Sequence, residues 1–388
     1  MRFRTECPKE LKLIIEILSL EFKPNTEFII PDNLDENEFI FWLKRHKVVG
    51  SAYHLIKKFG LPFSDVLLNE LKSYQENNSL RALKHVNELV LLKNKFNQSD
   101  LSFIPVKGVI LSKKLYGDFG QRYAGDIDLL IHFEDFKKAD QIMIDNGYLR
   151  LEFDGFKFER MEVHLSLSHE LTYVHYEKSI TVELTRSLSS HFYDPELLNS
   201  YNLDDLQIGK TNLKVLKNEN DFIELCIHGC GHLWERLQWL YDIATYLKKN
   251  ELDWDCVYKL AVEKEVEELL LASLILCQHI FDTPIPNQLK SMPSSKKVLK
   301  LNSYAKDYVA SRNHKANSMT LRVKRVVFIS TLPKKPNYYQ CLKKLLYNVD
   351  DWRSINFRPQ FYFMYFLLRP FFYLQRVIKH YKNVDNIN

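Results

Sequence analysis

Glycine is scarce in this chain, 11 in 388 residues, which argues against an all-β fold punctuated by tight glycine turns. Leu, Lys, Glu and Asn are abundant instead, a composition that favours helices. The 6 cysteines, at positions 7, 226, 230, 256, 277 and 341, form no CxxC pair. In a chain of this size they read as reduced, mostly buried thiols and not as a disulfide framework. Nowhere do about 18 apolar residues run uninterrupted, so no membrane-spanning helix is expected. The first residues, Met1-Arg2-Phe3-Arg4-Thr5-Glu6, lack the apolar run and small-residue cleavage site of a secretory signal, and a cytoplasmic protein is expected.

What is present is an ordinary globular balance, 46% hydrophobic and 27% charged, in a chain long enough for two domains and a further helical piece. The net charge of +5 conceals a segregation. From Lys296 onward there are 19 Lys and Arg against 4 Asp and Glu, and the rest of the chain carries 35 against 45. An acidic body with a basic tail bears on partners more than on folding.

Periodicity divides the chain into four parts. Residues 1–98 read as a helical amino-terminal region: Leu11, Leu13, Ile14, Ile17 and Leu18 recur at helical spacing, and Asn78-Ser79 suit the cap of a helix running toward Asn97. Residues 99–217 read as a small α+β core. It holds a short strand at Phe103–Val106, a helix at Val109–Leu115, a strand at Asp126–His132 and a helix at Phe136–Asn146 closed by Gly147. Further strands are predicted at Tyr148–Phe158, Met161–Leu167 and Ser179–Leu184. Residues 218–292 form a helical domain whose longest clean stretch is Asp221–Lys249, and Pro284, Pro286 and Pro293 lead into a basic, aromatic-rich region, 293–388.

The chemistry concentrates at Gly125-Asp126-Ile127-Asp128-Leu129-Leu130-Ile131. Residues two apart on a strand share a face, so Asp126 and Asp128 aim two carboxylates at one spot while Ile127 and Leu129 pack behind. Hard oxygen ligands at this spacing suit one or two Mg²⁺ ions, and a pair of ions can stabilise both the attacking and leaving oxygens of an in-line nucleotidyl transfer. Glu183, in Ile180-Thr181-Val182-Glu183-Leu184, is the candidate third acid. The competing reading of a bare DxD is a solvated turn or helix-capping pair. The apolar setting speaks against it, because an unpaired charge there is costly.

These residues resemble an uncharacterised bacterial nucleotidyltransferase family of the DNA polymerase β superfamily. The resemblance rests on Lys107-Gly108, Leu115-Tyr116-Gly117-Asp118, Arg122, the DxD strand, Gly147-Tyr148 and Val182-Glu183-Leu184. Farther on it includes His228-x3-His232, Trp234-Glu235-Arg236 and Asp242-Ile243-Ala244. It implies a polymerase β-like core, two Mg²⁺ ions (Mn²⁺ as the alternative) held by Asp126, Asp128 and Glu183, and an NTP substrate such as ATP. It also implies phosphate binding by Lys107 and Gly108 at a helix start. The sequence departs from the superfamily in lacking Gly-Ser at that start. It departs from the family in having Thr185-Arg186-Ser187 where a His-Trp-Arg run is common, so Arg186 is the candidate basic contact there.

Arg122 reads either as a bidentate phosphate contact or as a salt bridge to Asp118 or the aspartate strand. On a continuous helix His228, His232, Glu235, Trp239 and Asp242 share one stripe. That stripe reads either as the cleft wall that positions substrate, with His232 the favoured contact, or as a polar seam between domains. The aromatic segment Arg358–Tyr373 reads as a terminal helix docked on the core and interrupted at Pro370, as a peripheral contact with the inner membrane surface, or, less favoured, as a nucleic-acid surface. The function expected is Mg²⁺-dependent transfer of a nucleoside monophosphate from an NTP to an unidentified acceptor hydroxyl. The alternative is a non-catalytic nucleotide-binding or membrane-surface adaptor that keeps the fold.

Overall fold

A computed structural model describes residues 7–151, 153, 161, 162, 164, 165, 169–187, 201–249, 251–312 and scattered positions between 351 and 372. Four helices come first: α1 (Lys9–Ser19), α2 (Glu36–His46), α3 (Val49–Phe59) and α4 (Asp65–Gln98). Asp35 caps α2 by accepting from the Asn37 and Glu38 amides at 3.0 and 3.1 Å. Ser64 caps α4 by accepting from the Leu67 amide at 3.1 Å.

The helix start predicted at Asn78-Ser79 is absent, because α4 runs straight through it. The reason is tertiary. Asn78 Nδ2 donates to the carbonyls of Gly120 and Arg122 at 2.5 and 3.3 Å. A Cβ added at Gly120 would lie 2.6 Å from Ser79 Oγ. Side chains that look like a cap clasp a distant loop instead.

The sheet domain follows as β1 (Ile104–Val106), α5 (Gly108–Tyr116), β2 (Ile127–Leu130), α6 (Phe136–Asp145), β3 (Leu149–Arg150), β4 (Glu170–His175) and β5 (Ile180–Thr185). The strands form one mixed sheet in the order β1-β2-β5-β4-β3, in which β2 and β5 are parallel and the other pairs antiparallel. A hairpin of β6 (Leu203–Ile208) and β7 (Thr211–Leu216) stands beside it. The strand predicted over 161–167 is corrected: Met161, Glu162, His164 and Leu165 are helical, and β4 takes the place beside β5. Most of the strand predicted over Tyr148–Phe158 lies outside the described residues.

The carboxy-terminal helices are α7 (Asn218–Gly231), α8 (Leu237–Lys249), α9 (Trp254–Glu263), α10 (Glu267–Phe281) and α11 (Lys296–Val309). The single helix predicted over Asp221–Lys249 is therefore two. Trp234 turns back onto Gly229, where an added Cβ would meet its Nε1 at 2.6 Å. The Trp234 amide donates to the Gly229 carbonyl at 2.7 Å, and Leu233 and Trp234 take left-handed backbone, φ 53 and 44. His46 Nδ1, from α2, accepts from the Leu237 amide at 3.2 Å and so caps the start of α8.

Among the described residues burial gives a small cluster of Ile104, Val106, Leu130, Tyr201 and Leu216 and two large apolar cores. One is all-helical and joins α1–α3 to α7–α11, so the first and last helical segments share a single core. The other lies beneath the sheet and takes in Ile127, Leu129, Val182 and Leu184 with α5 and α6. The helix α4 belongs to both: Leu67 and Leu71 enter the first core, and Leu89, Leu92 and Phe96 the second.

The aromatic segment after Arg358 is described only in part. Tyr365 and Phe372 pack into the sheet core, Phe361, Phe363, Leu367 and Phe371 are exposed, and the backbone at Pro370 is helical, so no interruption occurs there. The remainder of the basic tail lies outside the described residues. Among the described residues no helix is long and apolar enough to cross a membrane.

Candidate active site

Alternation along three strands builds the site. Ile127 and Leu129 of β2, Val182 and Leu184 of β5, and Leu171 and Tyr173 of β4 all point into the sheet core. Their neighbours Asp126, Asp128, Glu183, Glu170 and Thr172 are half-buried on the opposite face. Register sets their spacing. Asp128 is the Cα partner of Glu183 on the parallel strand β5, and Glu183 is the partner of Thr172 on β4. Adjacent strands lie about 4.8 Å apart, so Asp128 and Glu183 are direct neighbours. Glu170 is the diagonal neighbour of Glu183. Sequence reasoning missed Glu170. Its signal was the alternation of Glu170, Thr172 and Val174 with Leu171, Tyr173 and His175.

Four acids on one face repel one another, and this adds to burial in raising two of them. Burial first, then the charges of Asp128, Glu170 and Asp126, push the Glu183 carboxyl up to about 8, with Lys107 opposing. Asp128 is pushed up to about 6: burial is the main cause, Asp126 and Glu170 add to it, and Lys107 and Arg122 oppose it. Glu170 behaves oppositely. Burial would raise it, but His169, whose Nε2 lies 3.1 Å from a Glu170 oxygen, outweighs burial together with Lys107 and His164 and holds it well below the usual carboxylate range. Among the described residues Asp126, Asp128 and Glu183 have no side-chain hydrogen bond or ion pair to the chain.

Lys107 and Gly108 close one side. Both have positive φ, 52 and 43, and α5 begins between them. A lysine held in that region is strained, a cost of about 1–3 kcal/mol that recurs at binding sites. A Cβ at Gly108 would lie 3.4 Å from the Asp126 carbonyl, so the open amides of the first turn of α5 stand beside the aspartate strand.

The histidines close another side. The helix break does not scatter them: the His228 and His232 rings lie 4.7 Å apart, and each lies within about 5 Å of the Trp239 ring, 5.2 and 5.0 Å. Burial pushes His228 well below its usual value, and the charges on Lys107, His232, Arg122 and His169 push the same way. His228 thus shares its surroundings with the Lys107 side of the acid face.

Asp242 leaves the stripe. It accepts from Arg122 Nε at 2.8 Å and from the Tyr116 hydroxyl at 2.8 Å, so the salt bridge of Arg122 is to Asp242 and not to Asp118. Arg122 is buried, and its charge still acts on Asp128 and His228. Arg186 is buried too. Its guanidinium lies 5.6 Å from the Phe133 ring, and its amide donates to the His169 carbonyl at 2.9 Å.

As the side chains stand, no three His, Cys, Asp or Glu residues among the described ones surround a common point closely enough to hold a metal ion. The chemistry of the donor set nevertheless fits a divalent cation: hard carboxylate oxygens crowded on one face, with no cation bonded to Asp126, Asp128 or Glu183 among the described residues.

No curated protein and no solved structure matches the chain. One family model does, over residues 32–282, a span that takes in the whole acid face, the α5 start and both histidines. By that match, which covers well over half of its length, the chain belongs to the uncharacterised nucleotidyltransferase family.

Proposed function

We propose that the protein transfers a nucleoside monophosphate from an NTP to an acceptor hydroxyl and releases pyrophosphate. One observation carries the reading. Asp128 and Glu183 are register partners on neighbouring parallel strands, and the chain supplies neither with a bonded cation beside an open helix start. In this reading Asp126, Asp128 and Glu183 hold one or two Mg²⁺ ions, Mn²⁺ being the alternative, and bound ions would neutralise charge on the phosphates and on the leaving pyrophosphate. Glu170 is the site's fourth carboxylate, held by His169 and turned to the same face.

The chain's own groups divide the remaining work. The first-turn amides of α5 and the Lys107 ammonium bind phosphate oxygens, and the strained Lys107-Gly108 backbone points those amides outward. The acceptor oxygen forms a bond to the α-phosphorus as the bond from that phosphorus to the bridging oxygen breaks. Glu183, as carboxylate, takes the acceptor's proton, and its raised affinity for protons suits that task. His228, His232 and Trp239 form the wall against which a base, ribose or acceptor rests. Arg122 acts from behind, fixing Asp242 and adding positive charge near Asp128.

The rival reading, a nucleotide-binding adaptor without turnover, draws on the absence of three converged donors among the described residues. The two are separated by incubating the protein with Mg²⁺, labelled NTPs and cell extract, beside the variant Asp126→Asn/Asp128→Asn. Label transferred by the native chain alone supports the enzyme. Equal labelling by both proteins, or none under any condition, sinks it.

A further inference from the structure

Several half-buried and buried cations among the described residues are matched with acids. Lys114 pairs with Asp221, Arg122 with Asp242, Arg150 with Asp140, Lys178 with Glu88 and Lys264 with Glu224. Lys47 and Arg81 are not. They come from different helices, Lys47 ending α2 in left-handed backbone and Arg81 in the middle of α4. Both lie against the ring of Tyr123, with Lys47 Nζ 4.1 Å and Arg81 Cζ 5.0 Å from its centroid. Neither has an acid within ion-pair distance among the described residues, and the one hydrogen bond of Arg81 is a long 3.5 Å contact with Asn78 Oδ1.

Tyr123 itself is fixed at the lip of the acid face. Its carbonyl accepts from Gln238 Nε2 at 3.0 Å, and its ring covers Gly125, where an added Cβ would lie 3.5 Å from Cε1. The next residue is Asp126. One helical turn beyond Arg81, His85 is buried with its Nδ1 lacking a partner, close enough to Asp126 and Arg81 for both charges to act on it. An aromatic face holds a cation in place without consuming its N–H donors. Two such cations on one ring leave several donors directed by packing and not by a carboxylate.

We propose that Lys47 and Arg81, pinned on Tyr123, form a phosphate clamp at the mouth of the Asp126–Glu183 site, supplied by the amino-terminal helices and not by the sheet domain. The ligand class is a phosphate group, borne either by the polyphosphate of the NTP or by the acceptor. Only the choice between these sources rests on the nucleotidyl-transfer reading; the clamp itself does not.

The test is calorimetric titration of the full chain in Mg²⁺ with three probes: ATP, pyrophosphate and inorganic phosphate. Lys47→Ala and Arg81→Ala are each expected to weaken binding about tenfold, the loss of one charge-assisted contact, and the double variant more. Lys47→Arg and Arg81→Lys should retain most of the affinity. Lys72→Ala, on the exposed surface of α4 and paired with Glu76, should retain all of it. Thermal melts confirm that each variant is folded.

Loss toward ATP and pyrophosphate assigns the clamp to the polyphosphate. Loss toward inorganic phosphate with ATP affinity unchanged assigns it to the acceptor. Equal affinities for the native chain and the double variant on all three probes, including no binding by either, overturn it. If the variants lose phosphate while the native chain never transfers a nucleotide, the clamp stands and the proposed reaction alone falls.

Discussion

Two groups of buried or half-buried acids in this molecule live in opposite surroundings. In the first group each acid has one cation and one tyrosine hydroxyl. Asp242 has Arg122 and Tyr116, at 2.8 and 2.8 Å. Asp140 has Arg150 and Tyr173, at 2.7 and 2.8 Å, and Glu88 has Lys178 and Tyr148, at 2.6 and 2.9 Å. Glu224 has Lys264 and Tyr201, at 3.3 and 2.8 Å, and Asp221 has Lys114 and Tyr246. The second group, Asp126, Asp128 and Glu183, has neither partner. The fold therefore uses a repeated means of satisfying a buried acid and withholds it on one sheet face. The acids of the first group are completed by the chain, and the three on the sheet face are not.

The sharpest way to break that contrast is to remove one acid from each group. Asp128→Asn is expected to cut nucleotidyl transfer by at least about 10³-fold, several kcal/mol of lost charge stabilisation. The fold, measured by urea unfolding without divalent ions, should be as stable as before or more so. Full activity in Asp128→Asn would end the distinction between the groups. In the first group Arg122→Ala leaves Asp242 buried and unpaired, at an expected cost of about 3–5 kcal/mol in the same unfolding assay. Adding Asp242→Asn should return part of that loss, the signature of a coupled pair.

Acidity gives a milder test. A carboxyl held above its unfolded-chain value binds its proton more tightly in the folded state, so stability falls as pH rises between the two values. For Glu183 that window runs from 4.5 up to about 8. In chelator the unfolding midpoint should drop across this range, Glu183→Gln should flatten the drop, and excess Mg²⁺ should oppose it. A midpoint that climbs between pH 5 and pH 8 with no response to Glu183→Gln contradicts the assignment. The smallest effect belongs to packing. Gly229→Ala forces Trp234 aside, for about 1–3 kcal/mol of overpacking strain, and should loosen the His228–His232 wall without touching the acids.

The acid pair and Glu183 were legible because their period-2 pattern is local, apolar residues alternating with acids, although Asp126 precedes β2 and only Asp128 lies on it. Glu170 was not. The stretch from Met161 to His175 alternates almost throughout, and only pairing with β5, a tertiary fact, selects Glu170–His175 as the strand. The break between α7 and α8 was hidden for a similar reason: the stripe from His228 to Asp242 assumes one helix, whereas Gly229-Cys230-Gly231 lets Trp234 fold back. Lys47 and Arg81 carried no local signal, since a lysine and an arginine on amphipathic helices read as solvated surface until Tyr123 places them. Likewise, nothing in an amphipathic face names its partner, so the union of the first and last helices in one core could not be read from either alone.

The 34 residues of α4 make a rod about 51 Å long, with one end in each core and its middle clasped to the loop before the aspartates. It contains no proline or glycine, the residues at which helices kink. Such a rod acts as a strut between the two large cores, and Arg81 and His85 ride on its span. The rod therefore spans both cores and carries His85 to the side of Asp126.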